Sequence, residues 1–389
     1  MLVAIGMVLL AANLRPAAAG IGPLIGRIQA GTGLSATGAG VLTTLPVLCF
    51  GALAPLAPAL TRRLGERSTV VLALAVLLLG LLVRLVPGLG FLFIGTALAG
   101  AAIAVGNVLL PVLVRANFPD RVGLLTGMYT TTLVGFAALS AGISVPVADA
   151  FGGGWRPGLA IWAIPAAVAL ALWAPQFRRA RSAPDRAAGP APGARALLRD
   201  PVAWSVTSFF ALQSAGFYAT LAWLPSVFHS HGLSTTKSGL LFSLSLVVGL
   251  IPALTLPSLA ARAEHQRVFM VAVVSFIATG WLGVLLAPTT LPYLWVIILG
   301  LGQNAAFPLA LTLIVLRGGS QTAGLSTLSQ TVGYLVAALG PLLIGVIHDA
   351  AHSWTPPLIV LLALLVPQLA VGLSAARNRT VAAAPGGTA

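Results

Sequence analysis

The sequence is poor in the residues that build disulfides, metal sites and charged surfaces. It contains one cysteine, Cys49, and only seven acidic residues, and residues of either charge make up 7% of its 389 positions. A single cysteine excludes an intramolecular disulfide, and no nearby histidine pair has the spacing of metal ligands. We therefore expect no metal site and no cofactor, and we interpret Cys49 as a packing residue.

Apolar residues dominate instead. The chain is 58% hydrophobic with a mean hydropathy of +1.01, which lies outside the range of soluble globular domains. The apolar runs are apolar on every side, whereas the strands of a transmembrane barrel alternate apolar and polar residues. The sequence therefore predicts an all-α membrane protein with twelve transmembrane helices. The predicted spans lie near residues 3–27, 36–60, 69–86, 90–114, 122–147 and 157–176 in the first half, and near 203–228, 237–260, 268–287, 290–316, 321–347 and 355–375 in the second.

Breaks in hydropathy and clusters of arginine predict the domains and the topology. We expect an N-terminal six-helix bundle at 1–177, a cytoplasmic linker at 178–200, a C-terminal six-helix bundle at 201–376 and a disordered tail at 377–389. Of the 21 basic residues, 16 fall in the linker, the tail and the loops on their side of the membrane. Basic residues accumulate in cytoplasmic loops, so both termini are predicted to be cytoplasmic in an inner-membrane protein. The four basic residues assigned to loops on the opposite side are Arg27, Arg84, Arg156 and Lys237.

The formal net charge of +14 does not indicate nucleic acid, because the arginines form short clusters between apolar spans. The expected partners are the lipid bilayer and a small-molecule substrate. We expect a monomer.

The two halves of the chain repeat each other. The run GLSATGAG at 33–40 returns as GLSTTKSG at 232–239, and the spacing of Asn107 and Pro111 recurs at Asn304 and Pro308. An offset near 200 residues predicts two related six-helix halves around an axis along the membrane normal. This is the arrangement of the major facilitator superfamily, with a substrate cavity between the halves.

Several motifs resemble the cyanate and nitroimidazole transporter family of that superfamily. They are NLRP at 13–16, GNVLLP at 106–111, LQSAGFYATLAWLP at 212–225, SQTVGYLVAALGP at 329–341 and HDAAHSW at 348–354. The resemblance covers essentially the whole chain. It implies transport of small polar solutes by alternating access, with cyanate import and nitroimidazole export as the family's known activities.

The loop after the second span departs from the superfamily pattern. Pro58 and Arg62 stand at its first glycine and its aspartate, while Arg63 and Gly65 are retained. The missing aspartate puts the usual salt-bridge latch of this loop in doubt, with Glu66 or Asp120 as substitutes. The residues expected to act in gating are Arg63, Gly65, Arg67, Pro16, Pro111 and Pro308.

Arg15 is the residue around which we predict the substrate site. It is the only charge within the predicted spans, where it costs about 2.5 to 3.5 kcal/mol. Pro16 removes the helical hydrogen bond to the Ala12 carbonyl and leaves an acceptor beside the guanidinium. A permanently charged guanidinium with a fixed fork of donors fits cyanate, carboxylate or nitro oxygens. In the alternative interpretation Arg15 is a packing charge bonded to backbone carbonyls.

The remaining candidates are polar or aromatic residues near the middle of spans. Amides on the fourth, seventh and tenth spans either face the cavity or join helices by hydrogen bonds. Tyr334 follows Gln330 by four residues and shares its helix face, whereas Tyr218 lies about 140° around the helix from Gln213. Phe307 is either a cavity wall or a packing residue. Together with Arg15, the predicted substrate-binding residues are Asn107, Tyr129, Gln213, Tyr218, Gln303, Asn304, Phe307, Gln330 and Tyr334.

We predict a transporter of a small, cyanate-like anion or polar organic solute, with export of nitroimidazole-like aromatic compounds as the alternative. An enzyme would need a metal set, an activated nucleophile or a catalytic carboxylate at membrane depth, and the sequence offers none of these. All seven acidic residues fall in predicted loops or at helix ends, so we do not expect coupling through a protonated carboxylate. His229 and His348, at outer helix ends, are the candidate proton sites, and the alternative is that they are exposed loop residues.

Overall fold

The chain is described from a computed structural model that covers residues 2–34, 36–180 and 197–382. In these ranges every regular element is an α-helix or a short 3-10 helix. Helices satisfy their own backbone hydrogen bonds, which apolar segments in lipid require. The predicted all-α class is confirmed.

The first six spans consist of ten α-helices in the described residues, because the first, second and sixth spans are broken. Their bounds are Leu2–Asn13, Pro16–Ala19 and Ile21–Thr32 for the first span, Ala36–Ala52 and Leu56–Leu64 for the second, Glu66–Val83 for the third, Leu89–Asn117 for the fourth, Val122–Ala150 for the fifth, and Trp155–Ala160 and Ala163–Ala180 for the sixth.

The last six spans begin at Pro201, and the eighth of the twelve is broken at Gly249. Their bounds are Pro201–Ser230, Thr235–Val248 with Leu250–Arg262, Arg267–Leu286, Pro292–Gly318, Thr322–Ala351 and Thr355–Ala375. Short 3-10 turns precede the fifth and the eleventh spans, at Pro119–Arg121 and Gly319–Gln321. The two turns lie 200 residues apart, as the internal repeat predicts.

The helices account for twelve membrane spans. Eight segments of the described chain are long and apolar enough to cross a membrane, or ten if each of two bent pairs is one span. One of these segments, Pro292–Ala351, contains two helices. The helix Pro201–Ser230 has 30 residues, but Gln213 and several serines and threonines lower its mean hydropathy, and it is not among the ten. The second helix of Pro292–Ala351 and the helix Pro201–Ser230 bring the ten spans to twelve, and the predicted twelve-helix fold is confirmed.

The chain divides into two compact units. The first comprises Met1–Asn117 and Met128–Ala191, and the second comprises Phe118–Gly127 and Pro192–Ala389. Residues 118–127, which the prediction places in the first bundle, therefore group with the second unit. Most of the predicted linker, residues 181–196, lies outside the described residues. The domain limits stay a prediction.

Glycines allow matching helix crossings in the two units. A Cβ on Gly80 of the third span would lie 2.7 Å from the Gly95 carbonyl oxygen of the fourth. A Cβ on Gly280 of the ninth span would lie 2.6 Å from Leu299 Cβ of the tenth. Small residues let helices in a membrane approach this closely. The repeat seen in the sequence is thus also a repeat of packing within each unit.

Part of the predicted disordered tail at 377–389 is bonded to the C-terminal unit. Arg317, which is 2% exposed, donates from Nε to the Ala375 carbonyl (3.0 Å) and from Nη1 to Asn378 Oδ1 (3.3 Å). Val381 N donates to the Arg317 carbonyl (2.9 Å). A buried guanidinium needs acceptors, and Asn378 of the tail supplies one of them. Residues 383–389 lie outside the described ranges.

Asp200 joins the end of this tail to the start of the seventh span. Its Oδ1 accepts from Val202 N (2.7 Å) and Ala203 N (3.2 Å), which caps the helix. Its Oδ2 accepts from Ala382 N (2.8 Å). One carboxylate therefore holds a helix N-terminus and the chain after the twelfth span.

Candidate substrate-binding site

Arg15 lies at a break in the first span. The helix Leu2–Asn13 ends just before it, and the Arg15 carbonyl accepts from Ala18 N (3.1 Å) and Ala19 N (2.9 Å). Arg15 therefore opens one isolated helical turn that ends at Gly20, where the span bends by 41°. Pro16 occupies the first position of this turn, where a missing N–H costs nothing. We call residues 15–20 the Arg15 turn.

Neighbouring spans of the N-terminal unit hold the chain on both sides of Arg15. Asn13 Nδ2 donates to the Pro165 carbonyl of the sixth span (3.2 Å). Ser140 Oγ, on the fifth span, donates to the Pro16 carbonyl (3.1 Å). These two hydrogen bonds connect the broken part of the first span to the fifth and sixth spans. The break is therefore a fixed feature of the unit.

A second buried arginine, Arg84, lies beside the Arg15 turn. The sequence placed Arg84 in an outer loop, but it follows the third span directly and is 1% exposed. Its Nη1 donates to the Ala17 carbonyl (2.7 Å), within the Arg15 turn. Its Nε has no hydrogen-bond partner in the described structure. Arg15, which opens this turn, and Arg84, which donates to it, thus both lie at the same short segment.

The fourth span approaches the first beside the Arg15 turn. Leu14 packs on Gly106, where a Cβ would lie 2.6 Å from Leu14 Cδ2. Asn107 is the next residue and is buried. The structure therefore brings the neighbours of Arg15 and Asn107 into contact. Tyr129, on the fifth span of the same unit, is also buried.

An aromatic cluster lies inside the C-terminal unit. The ring centroid of Phe210 is 5.9 Å from that of Phe307 and 5.5 Å from that of Tyr334, which it meets edge to face. These rings come from the seventh, tenth and eleventh spans, and Phe210 joins the other two. Phe210 is not among the predicted site residues, because one phenylalanine in an apolar helix carries no signal of its own.

Gln213 lies one turn after Phe210 and is buried. Its Nε2 donates to the Phe210 carbonyl (3.1 Å) and to Ser214 Oγ (2.6 Å). Its Oε1 is buried without a partner among the described residues. A buried acceptor without a donor is costly, which suits a group that meets a polar ligand.

Gln303 lies near Gln213. A Cβ on Gly216, three residues after Gln213, would lie 3.4 Å from Gln303 Nε2. The seventh and tenth spans run in opposite directions, so Gln303, one turn before Phe307, falls on the same side of the aromatic cluster as Gln213. Two amides therefore lie beside the rings.

The other candidates of the C-terminal unit differ in burial. Gln330 is buried and its Nε2 donates to Ser326 Oγ (3.0 Å), one turn before Tyr334 in the cluster. Tyr218 is partly exposed and meets Phe217 edge to face at 5.5 Å. Gln330 is thus next to the cluster, whereas Tyr218 packs on its own span.

Asn304 makes the contacts of a residue that joins helices. Its Nδ2 donates to the Ser245 carbonyl of the eighth span (3.1 Å) and to the Gly300 carbonyl (3.0 Å). Its side chain also packs on Gly249, where the eighth span breaks. These contacts match the packing alternative, and a role of Asn304 in substrate binding stays a prediction.

The predicted gating residues occupy loop and mid-helix positions. Gly65 has φ of +79°, which favours glycine, and separates the second and third spans between exposed Arg63 and Arg67. Pro111 and Pro308 are buried inside the fourth and tenth spans. Their part in gating stays a prediction.

The predicted proton sites lie at helix ends. His348 stacks on Trp354 with ring centroids 4.0 Å apart, and its Nδ1 is 3.5 Å from Asp349 Oδ1. His229 Nδ1 is 2.9 Å from the Leu233 carbonyl, and since a carbonyl only accepts, this nitrogen carries the proton.

Acidic residues of the described chain also lie at helix ends or in loops, as predicted for six of the seven. These are Glu66, Asp120, Asp149, Asp200, Glu264 and Asp349, and Asp185 lies outside the described residues. No group of three or more metal-ligating side chains occurs in residues 2–34, 36–180 and 197–382.

Twelve spans in two related halves, with charged and amide side chains buried among them, define a membrane transporter. Residues 3–341 match the model of the Major Facilitator Superfamily. The chain belongs to this superfamily, and its function is transport rather than catalysis.

Relatives with similar sequences span nearly the whole chain. A transporter of Bacillus subtilis (strain 168), YycB, is 41% identical over 97% of this chain and 94% of its own. The 2-nitroimidazole transporter of Escherichia coli (strain K12) is 36% identical over 97% and 95%. The cyanate transport protein CynX of the same organism is 31% identical over 90% of each chain. The resemblance drawn from the motifs is confirmed.

The fold also matches solved structures. The proton:xylose symporter XylE covers 98% of this chain and 97% of its own with a TM-score of 0.76 at 14% identity. At that identity the likeness concerns the fold alone.

Proposed function

We propose that this transporter moves a small anion or a strongly polar organic solute, with Arg15 as its principal binding residue. The observation that carries the proposal is the Arg15 turn, a broken segment of a membrane span that presents one guanidinium and receives another from Arg84. Intramembrane charges are expensive and usually belong to a substrate pathway. Broken spans supply the binding sites of many transporters.

The charges of the N-terminal unit favour anions over cations. In its described residues the acidic groups are Glu66, at the start of the third span, and Asp149, near the end of the fifth. Asp149 already pairs with Arg27 at 2.7 Å. A cation would find no carboxylate beside the Arg15 turn, whereas cyanate or a carboxylate would meet a fork of N–H donors.

A second candidate function is export of nitroimidazole-like aromatic compounds. Phe210, Phe307 and Tyr334 offer ring faces and edges, and Gln213 offers an acceptor without a partner in the described structure. A planar heterocycle stacks on such rings while an amide bonds its ring nitrogen. The relative that is 36% identical is named a 2-nitroimidazole transporter.

The remaining binding and gating roles follow from these two parts. Asn107 and Tyr129 would add to the anion site of the N-terminal unit, and Gln303 and Gln330 would add to the aromatic cluster of the C-terminal unit. The residues that would adjust the spans during alternating access are Arg63, Gly65, Arg67, Pro16, Pro111 and Pro308.

We further propose an inner-membrane monomer with both termini in the cytoplasm. The asymmetry of basic residues supports this orientation.

Uptake into proteoliposomes tests the proposal. Labelled cyanate and 2-nitroimidazole are offered to the wild type, to Arg15→Ala and to Arg15→Lys. Both variants should lose saturable uptake while staying folded, because an ammonium cannot replace the fork of a guanidinium. Arg27→Ala, in the same span but in a partly exposed ion pair, is the matched control and should transport normally. Normal saturable uptake by Arg15→Ala would refute the assignment.

A further inference from the structure

Arg84 is a charge that the proposed transport mechanism does not yet use. It is almost completely buried, and in the described part of the chain no carboxylate lies within ion-pair distance of it. In the described structure its guanidinium donates to the Ala17 carbonyl, and its Nε has no partner. A buried guanidinium costs free energy unless it is compensated. Such a residue calls for an explanation other than stability.

The third and fourth spans fix the position of Arg84. Gly95 of the fourth span lies so close that a Cβ there would be 2.7 Å from Arg84 N and 2.7 Å from Arg84 Cγ. The glycine leaves a groove in which the stem of the arginine lies. From this groove the guanidinium reaches the first span.

Arg84 reaches the Arg15 turn at the Ala17 carbonyl. Ala17 belongs to the one helical turn that Arg15 opens, and that turn is bounded by breaks on both sides. The charge-assisted hydrogen bond to the Ala17 carbonyl fixes the direction of the turn. Ser140 also donates a side-chain hydrogen bond to this turn, at the Pro16 carbonyl.

We propose that Arg84 is a positioning residue for Arg15. Its hydrogen bond to the Ala17 carbonyl fixes the Arg15 turn, so that the Arg15 guanidinium keeps the orientation that binds substrate. This inference rests on the proposed function of Arg15 and adds a residue that acts through it. Substrate itself does not contact Arg84.

Kinetics of cyanate uptake in proteoliposomes test the proposal with Arg84→Met and Arg84→Lys. Methionine fills the apolar groove but cannot donate to Ala17. Loss of one charge-assisted hydrogen bond should raise KM for cyanate about tenfold or more while Vmax changes little. Lysine keeps a charged donor and should restore KM to within about threefold of the wild type. Ser140→Ala should shift KM in the same direction by a smaller factor.

Arg317→Met is the matched control. Arg317 is a second buried arginine bonded to backbone carbonyls, but it lies at the cytoplasmic end predicted for the tenth span, in the other unit. Its loss should lower the melting temperature and leave KM for cyanate unchanged. A purely structural role of Arg84 predicts the same result for Arg84→Met, and that result would overturn the inference.

The two proposals fail in different ways. If Arg15→Ala takes up cyanate normally, the proposed function is wrong. If Arg15→Ala fails while folded Arg84→Met keeps the KM of the wild type, only the positioning role is wrong. If Arg84→Met does not fold, Arg84→Lys and Ser140→Ala replace it as the test. Positioning through the hydrogen bond is wrong if Ser140→Ala has a normal KM and Arg84→Lys is folded but has a raised KM.

Discussion

Leu14 packs directly on Gly106, and these two residues precede Arg15 and Asn107 in the chain. The contact sets how closely the first and fourth spans approach at the predicted site. A side chain at position 106 would have to displace Leu14, which is buried and cannot move without disturbing its neighbours.

Gly106→Ala should therefore weaken substrate binding. Overpacking of this kind costs about 1 to 3 kcal/mol, and part of that cost should appear as a shift of the Arg15 turn. We expect a lower melting temperature in detergent and a higher KM for cyanate in proteoliposomes. Gly90→Ala, in the same span with open space around it, is the control and should be neutral or slightly stabilising. Identical behaviour of the two variants would contradict the prediction.

Asn304→Ala and Asn107→Ala should have different effects, although the residues are related by the repeat. Asn304 donates to two backbone carbonyls, and loss of the two hydrogen bonds should cost about 1 to 3 kcal/mol. We expect Asn304→Ala to lower the melting temperature and keep the KM for cyanate. Asn107→Ala should raise KM with little change in melting temperature. The reverse pattern would place Asn304 in the site and make Asn107 the packing residue.

Phe210→Leu should separate the two substrate classes. Each aromatic pair contributes about 0.5 to 1.5 kcal/mol beyond its buried area, so loss of the ring should weaken 2-nitroimidazole binding about two- to tenfold relative to cyanate. Competition in the uptake assay measures the ratio. Phe209→Leu, which is matched in burial and lies on the same span, is the control. An equal loss for both substrates in Phe210→Leu would mean that the cluster only supports the fold.

Transport should proceed without a protonated carboxylate. In the described residues the acids lie at helix ends or in loops, so none is held at membrane depth. With an imposed pH gradient and no potential, cyanate should equilibrate and not accumulate. At −100 mV inside, a monovalent anion faces about 2.3 kcal/mol, and net import then needs intracellular consumption. Accumulation that a protonophore abolishes would reverse this view, and His229→Gln and His348→Gln would identify the proton site.

Cysteine labelling should locate the two sides of the C-terminal unit. Cys49→Ser removes the only native thiol, after which Ser230→Cys and Glu264→Cys are introduced singly at exposed positions. With cytoplasmic termini, a membrane-impermeant maleimide should label position 230 in intact cells and position 264 only after permeabilisation. The opposite pattern would invert the proposed topology.

The twelve spans could be predicted because their signal is local. Runs of apolar residues about 20 long need helices in lipid, and the structure places helices where those runs occur. The break beside Arg15 was also visible, since Pro16 cannot continue a helix. Arg15 and Asn107 were selected as uncommon polar residues in apolar surroundings, and the structure puts their spans in contact.

Arg84 and Phe210 could not be found this way. Arg84 ends an apolar run, so the sequence gives it the appearance of a loop arginine, and only the crossing at Gly95 reveals that it folds back onto the first span. Phe210 matters through two rings that are about 100 residues or more distant in the chain. The Asn304 contacts depend on the break at Gly249, which lies on another helix. Such roles depend on tertiary contacts and not on local composition.

The docking of the chain after the twelfth span affects how the protein can be handled. Val381 and Ala382 are bonded to Arg317 and to Asp200, which also caps the seventh span. Truncation at Ala376 would remove one acceptor, Asn378 Oδ1, from the buried Arg317 guanidinium and would remove the Ala382 N–H that donates to Asp200. An affinity tag or fluorescent reporter should therefore be joined beyond Ala382, and a protease site used to remove it should leave residues 377–382 in place.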